Sequence, residues 1–210
     1  MTTFLTADTH FGHPLMITTL KRPYDNVEEM NERMIEAWNK TVHPKDTVWH
    51  LGDFAMKMEA NGIADVFRRL NGRKHLILGN HDYHKDGTVL PALSRLPWES
   101  ISAAAQINHD KQRIMLSHYA GWAWNQSHRG ALQAYGHNHG SLVGLPGSID
   151  VGVDCQCFKP ISVEDFIRQA EETIINAEER VDQLVDILAN RLDHYRELAD
   201  GIRKKRKEAR

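Results

Sequence analysis

The sequence predicts an α/β fold, with a mixed sheet or pair of sheets and helices on the outside. Three observations carry that prediction. Short strand-like runs recur through the first three quarters of the chain, each ending in polar or glycine-rich residues. Segments of helical period lie between several of them. The last quarter is a proline-free amphipathic run of a different kind.

In chain order, "TTFLTADTHFGH" is the first strand candidate, and "DTVWHLGDF", "KHLILGNHD", "RIMLSHY", "QAYGHNHG" and "GSIDVGVD" follow it. Residues 27–41 place Val27, Met30, Met34, Ile35 and Trp38 at helical spacing, and residues 59–70 repeat this more weakly with Ile63, Val66, Phe67 and Leu70. From about residue 98 to 153 the strands come closer together, punctuated by the turn signals "NHDK" and "LPGS".

Beyond Pro160, the segment from Ser162 to Asp165 offers a capping-box start. Ile167, Ala170, Ile174, Ala177, Val181, Leu184, Leu188, Tyr195, Leu198 and Ile202 then follow a 3-4 spacing, broken once at Arg191. This predicts one long helix of about 60 Å at the α-helical rise. Its first turns can pack on the core; the rest either pairs with another helix, as in a homodimer, or folds back along its own domain. The expected division is a domain over residues 1–168 and a long helix, a candidate coiled-coil oligomerisation segment, over 169–210.

Composition narrows the functional classes. Apolar residues at 41% and charged residues at 26% describe a globular protein with one ordinary core. No apolar run is long enough to span a bilayer, and no charged segment leads into an apolar one at the start, so no membrane and a cytoplasmic location are expected. Cys155 and Cys157 are too close in sequence to staple a fold and read as reduced, inward-facing thiols. Residues 202–210 carry +5 and the remainder −7, which argues against nucleic acid as the main partner. Thirteen histidines invite a search for metal ligands.

That search leads to the strand ends. The first five runs stop at Asp8 and His10, at Asp53, at Asn80-His81-Asp82, at His118, and at His137 with His139. Ligand sites gather at the carboxyl ends of strands in open α/β sheets. Gly52, Gly79 and Gly136 each precede one of these residues, where the backbone must turn and approach closely.

This ordered series, Asp-x-His, Gly-Asp, Gly-Asn-His-Asp, a lone His and Gly-His-x-His, closely resembles the calcineurin-like metallophosphoesterase family, in its small bacterial and phage branch, over residues 3 to about 168. The resemblance implies a four-layer sandwich of two mixed β-sheets flanked by helices, with the long C-terminal helix added. It implies two divalent ions, one held by Asp8, His10, Asp53 and His139, the other by Asp53, Asn80, His118 and His137. Mn²⁺ is the expected metal, with Fe²⁺, Zn²⁺, Co²⁺ or Ni²⁺ also suited to these donors. A hydroxide bridging the two ions would attack a small phosphodiester or phosphomonoester in line. His81 would act as catalytic residue beside the phosphate, oriented by Asp82. The second motif reads "GDFAMKM", without the further charged residue many members carry there, which removes a substrate contact but no metal ligand.

Four further residues are candidate substrate contacts, each with a plainer alternative. His13 follows His10 by three residues in a loop; Arg22 could clamp a phosphate oxygen or lie on the surface; Tyr119 and Trp122 could wall a pocket or form a satellite core. Two other functions compete with the small-molecule enzyme. A nuclease would need a positive groove beside the metals, and a non-catalytic metal-binding scaffold would be expected to have lost ligands, all of which are present here.

Overall fold

The computed structural model describes residues 1–208, so the last two residues of the basic run lie outside the described residues. Strands β1 (Thr3–Thr6), β2 (Thr47–His50), β3 (Arg73–Ile77) and β4 (Ser100–Ser102) pair in parallel in the order β4-β3-β2-β1. The second sheet joins β5 (Ala104–His109), β6 (Gln112–Ser117), β7 (Leu132–Tyr135) and β8 (Ser148–Asp150) in that order. Here β5 and β6 form an antiparallel hairpin, and β6, β7 and β8 run parallel. The hairpin turns on Asp110 and Lys111, both at positive φ, the geometry a two-residue hairpin requires. A short β9 (Ile161–Ser162) closes the first sheet, antiparallel to β1.

Side chains alternate across a strand, so β1 sends Phe4 and Leu5 into two different cores. On the outer face of the first sheet, Phe4 and Val48 meet Met30, Met34 and Trp38 of α2 (Val27–Thr41), and Ile63 and Phe67 of α3 (Ala60–Arg69). The short helices α1 (Leu15–Thr19) and α4 (Pro91–Ser94) complete that layer with Met16 and Leu93. On the inner face, Leu5 and Ile77 pack against Ile114, Leu116, Leu132 and Ala134 of the second sheet. Helix α5 (Val163–Ile175) inserts Val163, Phe166 and Ala170 into this inter-sheet core, after Ser162 caps its start by accepting from the Asp165 N–H. The outer face of the second sheet is covered by loops: Gln133 binds Ser117 and the N–H of Gly121, and the Tyr135 hydroxyl donates to the Leu142 carbonyl.

Two expectations are corrected. The C-terminal run is not one helix. Asn176 leaves helical geometry at φ −98°, ψ 36°, ending α5, and its carbonyl accepts the first bond of α6 (Ala177–Glu208) from the Arg180 N–H. Asparagine suits such a break better than a helix interior. Arg180 then fixes the new direction by donating to the carbonyls of Gly144 and Ser148. The second correction concerns Cys155 and Cys157, which are exposed because the chain has left the sheet for a 3-10 turn over Val153–Cys155. No helix among the described residues is long and apolar enough to cross a membrane.

Candidate metal centre

Parallel pairing brings the carboxyl ends of β1, β2 and β3 to one edge of the molecule, and the pairing outlives the strands. The N–H of Leu51 donates to Thr6, that of Asp8 to Gly52, and that of His10 to Asp53, at 2.7–3.0 Å. The two loops therefore travel together and deliver Asp8, His10 and Asp53 into one space. The second sheet adds its own loops, with the His137 N–H donating to Asp8 Oδ2 at 2.8 Å.

The backbone at this edge is unusual. Asp8, His10, Asp53, His137 and His139 all have φ between 47° and 71°. Asp and His tolerate the left-handed region better than most residues, yet each such position costs about 1–3 kcal/mol and persists only where its surroundings enforce it. Gly136 is enforced from the other side: a Cβ there would lie 2.6 Å from both Ala7 Cβ and Asp8 Oδ2. The two loops can touch only because that position has no side chain.

The structure brings together two groups, Asp8 with His10 and His139, and Asp53 with His118 and His137, each with donor atoms within 4.8 Å of one another. Asp53 Oδ2 stands between them, 3.6 Å from His10 Nε2 and 3.5 Å from His118 Nε2. Asn80 joins the second group through Oδ1, 3.1 Å from His118 Nε2.

Tautomers follow from the hydrogen bonds. His118 Nδ1 lies 2.7 Å from the Leu51 carbonyl and so carries the proton, leaving the Nε2 lone pair facing Asn80 Oδ1 and Asp53 Oδ2. His139 Nδ1 lies 2.7 Å from Asp154 Oδ2, which turns its Nε2 lone pair the same way. Asp8 Oδ1 and both His10 nitrogens are buried without a hydrogen-bond partner. Acceptors facing acceptors in a buried space are costly, and a cation among them removes the cost. The electrostatics agree. Burial, then Asp53 and Asp150, raise the Asp8 carboxyl well above its usual range. Burial, then His139 and Arg22, push His10 down to about 2. His118 and His137 are also lowered, chiefly by burial. Neutral imidazoles, carboxylates and an amide oxygen are the donors a borderline or hard divalent ion takes, so the residues fit two such ions.

The other candidates divide. His81 stays beside the cluster, its ring centroid 5.4 Å from that of His10 and its N–H donating to Asp53 Oδ1. His13 is buried next to His10, ring centroids 5.8 Å apart, with Nδ1 unpartnered. Tyr119 lies edge-on to His137 at 4.6 Å and lines an open cleft of about 550 Å³ with Asn80, Tyr83, His84, Lys85 and His118.

Three assignments are corrected. Asp82 is fully buried and cannot touch a reacting group; its carboxylate accepts the N–H groups of Gly79, Asp53 and Phe54 and ties the β2 and β3 loops together instead of orienting the His81 ring. Arg22 is buried with its guanidinium committed to Asp154 and to the carbonyls of Asp8 and Thr9, so it is no phosphate clamp. Trp122 is exposed and lines a groove with Leu142, Leu184 and Leu188 to which none of the cluster residues contributes.

Asp154 and Asp150 were missed by sequence reasoning. Burial works to raise Asp154, but the bonds from His139 and Arg22 outweigh it and hold the carboxyl at about 2. Asp150 accepts the N–H groups of Gly140 and Gly152 and so fixes the loop that carries His139. The available signal was "GSIDVGVD", a sixth run that also ends in carboxylates.

Comparison with known proteins gives four likenesses. The profile of the family described as calcineurin-like phosphoesterase matches residues 1–141. An uncharacterized protein of Methanocaldococcus jannaschii is 31% identical over 177 residues, covering 80% of this chain and 91% of its own. The gene 66 protein of Mycobacterium phage L5 is 30% identical over 165 residues, covering 67% of this chain and 79% of its own. Among solved structures, a protein of unknown function from Aquifex aeolicus shares the fold at a TM-score of 0.60, with 23% identity over 80% of this chain and 98% of that one.

Proposed function

Because this chain belongs to the calcineurin-like phosphoesterase family, we propose that it is a metal-dependent hydrolase of small phosphate esters, diesters first, acting at the cluster around Asp53. The observation that carries this reading is the convergence of Asp53 Oδ2, His118 Nε2 and Asn80 Oδ1 with the unpartnered Asp8 Oδ1 and His10 Nε2.

Asp8, His10, Asp53 and His139 would hold one divalent ion, and Asp53, Asn80, His118 and His137 the other, with Mn²⁺ the expected metal. When bound, such a pair supplies charge neutralisation for the phosphoryl oxygens and an acidified water as nucleophile. The residues of the chain do the rest. The Asp82 carboxylate and the His137–Asp8 bond hold the loops in register, so the donors are in place before substrate arrives. His81, an imidazole beside the cluster that is not among these donors, supplies a proton or hydrogen bond to the departing ester oxygen. The cleft beneath Tyr119 receives the group attached to it.

The test is release of p-nitrophenol from bis-p-nitrophenyl phosphate by chelator-stripped protein, before and after adding Mn²⁺. Turnover restored by metal is expected. Protein that binds two Mn²⁺ yet hydrolyses neither this diester nor p-nitrophenyl phosphate would be a scaffold, and the enzyme reading would fall.

A further inference from the structure

Helix α6 carries an apolar seam that its own domain leaves about half exposed. Val181, Val185, Leu188, Leu192, Tyr195 and Ile202 are each between 45% and 56% exposed. They are spaced 4, 3, 4, 3 and 7 residues apart, and Ala199 fills the last gap. This is an unbroken a/d heptad, the pattern that pairs two helices. It differs from the seam read in the sequence, which ran through Leu184 and Arg191. Leu184 instead turns into the domain, only 8% exposed, and lines the groove with Gly121 and Leu142.

The ends of the helix differ in charge. Residues 177–186 hold Glu178, Glu179, Asp182 and Asp186 against Arg180, a net −3. Residues 202–208 hold five Lys or Arg against Glu208, a net +4. Two copies in parallel would set basic end against basic end. Turned head to tail, each acidic end meets the other's basic end, and the helix dipoles oppose favourably as well.

We propose that the occupant of this seam is a second copy of the chain, paired antiparallel through α6 about a two-fold axis near residue 190. In that register Leu188 faces the second copy's Leu192, Val185 faces its Tyr195, and Val181 faces its Ala199. Glu178 and Glu179 then lie alongside the second copy's Arg203 and Lys204. The contact is isologous and closes on itself, so it yields a dimer and not a fibre.

Sedimentation equilibrium of the full chain, 24.0 kDa, tests this, and a dimer mass is expected. Leu188→Asp with Leu192→Asp should run as monomer while keeping its far-ultraviolet circular dichroism. Because that variant could loosen α6 itself, a second set works by charge alone. Arg203→Glu, Lys204→Glu and Lys205→Glu together should weaken dimerisation at least tenfold, and adding Glu178→Lys, Glu179→Lys and Asp182→Lys should restore it. A monomeric wild-type chain, or a dimer that survives the leucine changes, overturns the proposal. Charge reversal without effect, or without rescue, overturns the antiparallel arrangement.

Discussion

His139 Nδ1 lies 2.7 Å from Asp154 Oδ2, and the same carboxylate pairs with Arg22, whose other donors hold the Asp8 and Thr9 carbonyls. One buried network thus fixes the tautomer of His139 and the loop bearing Asp8. Carboxylates behind ligating histidines typically contribute 10–100-fold in metal affinity. Asp154→Asn should therefore weaken one of two Mn²⁺ sites by about that factor and leave the other near wild type. Calorimetric titration of chelator-stripped protein reads both constants, and two unchanged sites would show that Asp154 plays no part in holding metal.

His81 donates its backbone N–H to Asp53 Oδ1, which places its ring at the rim of the cluster. The change His81→Gln keeps that bond and removes only the imidazole. The expected result is a kcat lower by about 10²–10⁴, the usual share of a positioned acid or base, with two metals still bound. A variant that loses metal in step with activity would make His81 a ligand instead.

Much of this centre could be read before the fold was known, because strand ends are local. Asp8, Asp53, His118 and His137 each sit where a short hydrophobic run stops, and parallel pairing alone brings such ends together. Helix α2 was legible for the same reason, since Met30, Met34 and Trp38 announce its buried face. What failed depended on distant partners. Arg22 looks like any loop arginine until Asp154, 132 residues later, arrives beside it. Asp82 looks catalytic next to His81, but its carboxylate serves the backbone of Asp53 and Phe54. Asn176 breaks a continuous apolar pattern where the carbonyls of Gly144 and Ser148 accept from Arg180.

Gly52 adopts φ +97°, and a Cβ there would stand 2.5 Å from Gly79 N and 2.6 Å from His118 Nδ1. Backbone cannot yield as a flexible side chain can, so Gly52→Ala carries a steric cost of about 1–3 kcal/mol on top of the left-handed strain. It also pushes His118 off the Leu51 carbonyl. The variant should unfold at lower urea concentration and bind the metal held by Asp53 and His118 more weakly. Wild-type urea midpoint and affinity would mean that the two loops have room to separate.

His50 tests the electrostatics away from the metal donors. It is fully buried, and its Nε2 lies 2.9 Å from Thr9 Oγ1. The Thr9 hydroxyl donates to the Phe54 carbonyl, so its oxygen accepts from His50, whose Nδ1 is left without a partner. Burial, with His118 adding to it, pushes His50 down to about 3. An unfolded histidine titrates near 6.5. Between those values the unfolded chain holds a proton that the folded chain lacks, so stability falls as pH falls, by about 1.4 kcal/mol per pH unit for this group. Asp82 acts in the opposite sense, because burial raises it to about 7 and the folded form binds the extra proton. The two partly offset in the wild type, and only a difference isolates His50. His50→Gln keeps a donor for Thr9 but does not titrate. Urea unfolding with chelator present should find this variant less stable than wild type at pH 7.5, with the gap shrinking steadily below pH 6.5. A gap that stays constant down to pH 4 would mean that His50 takes up its proton without leaving the fold.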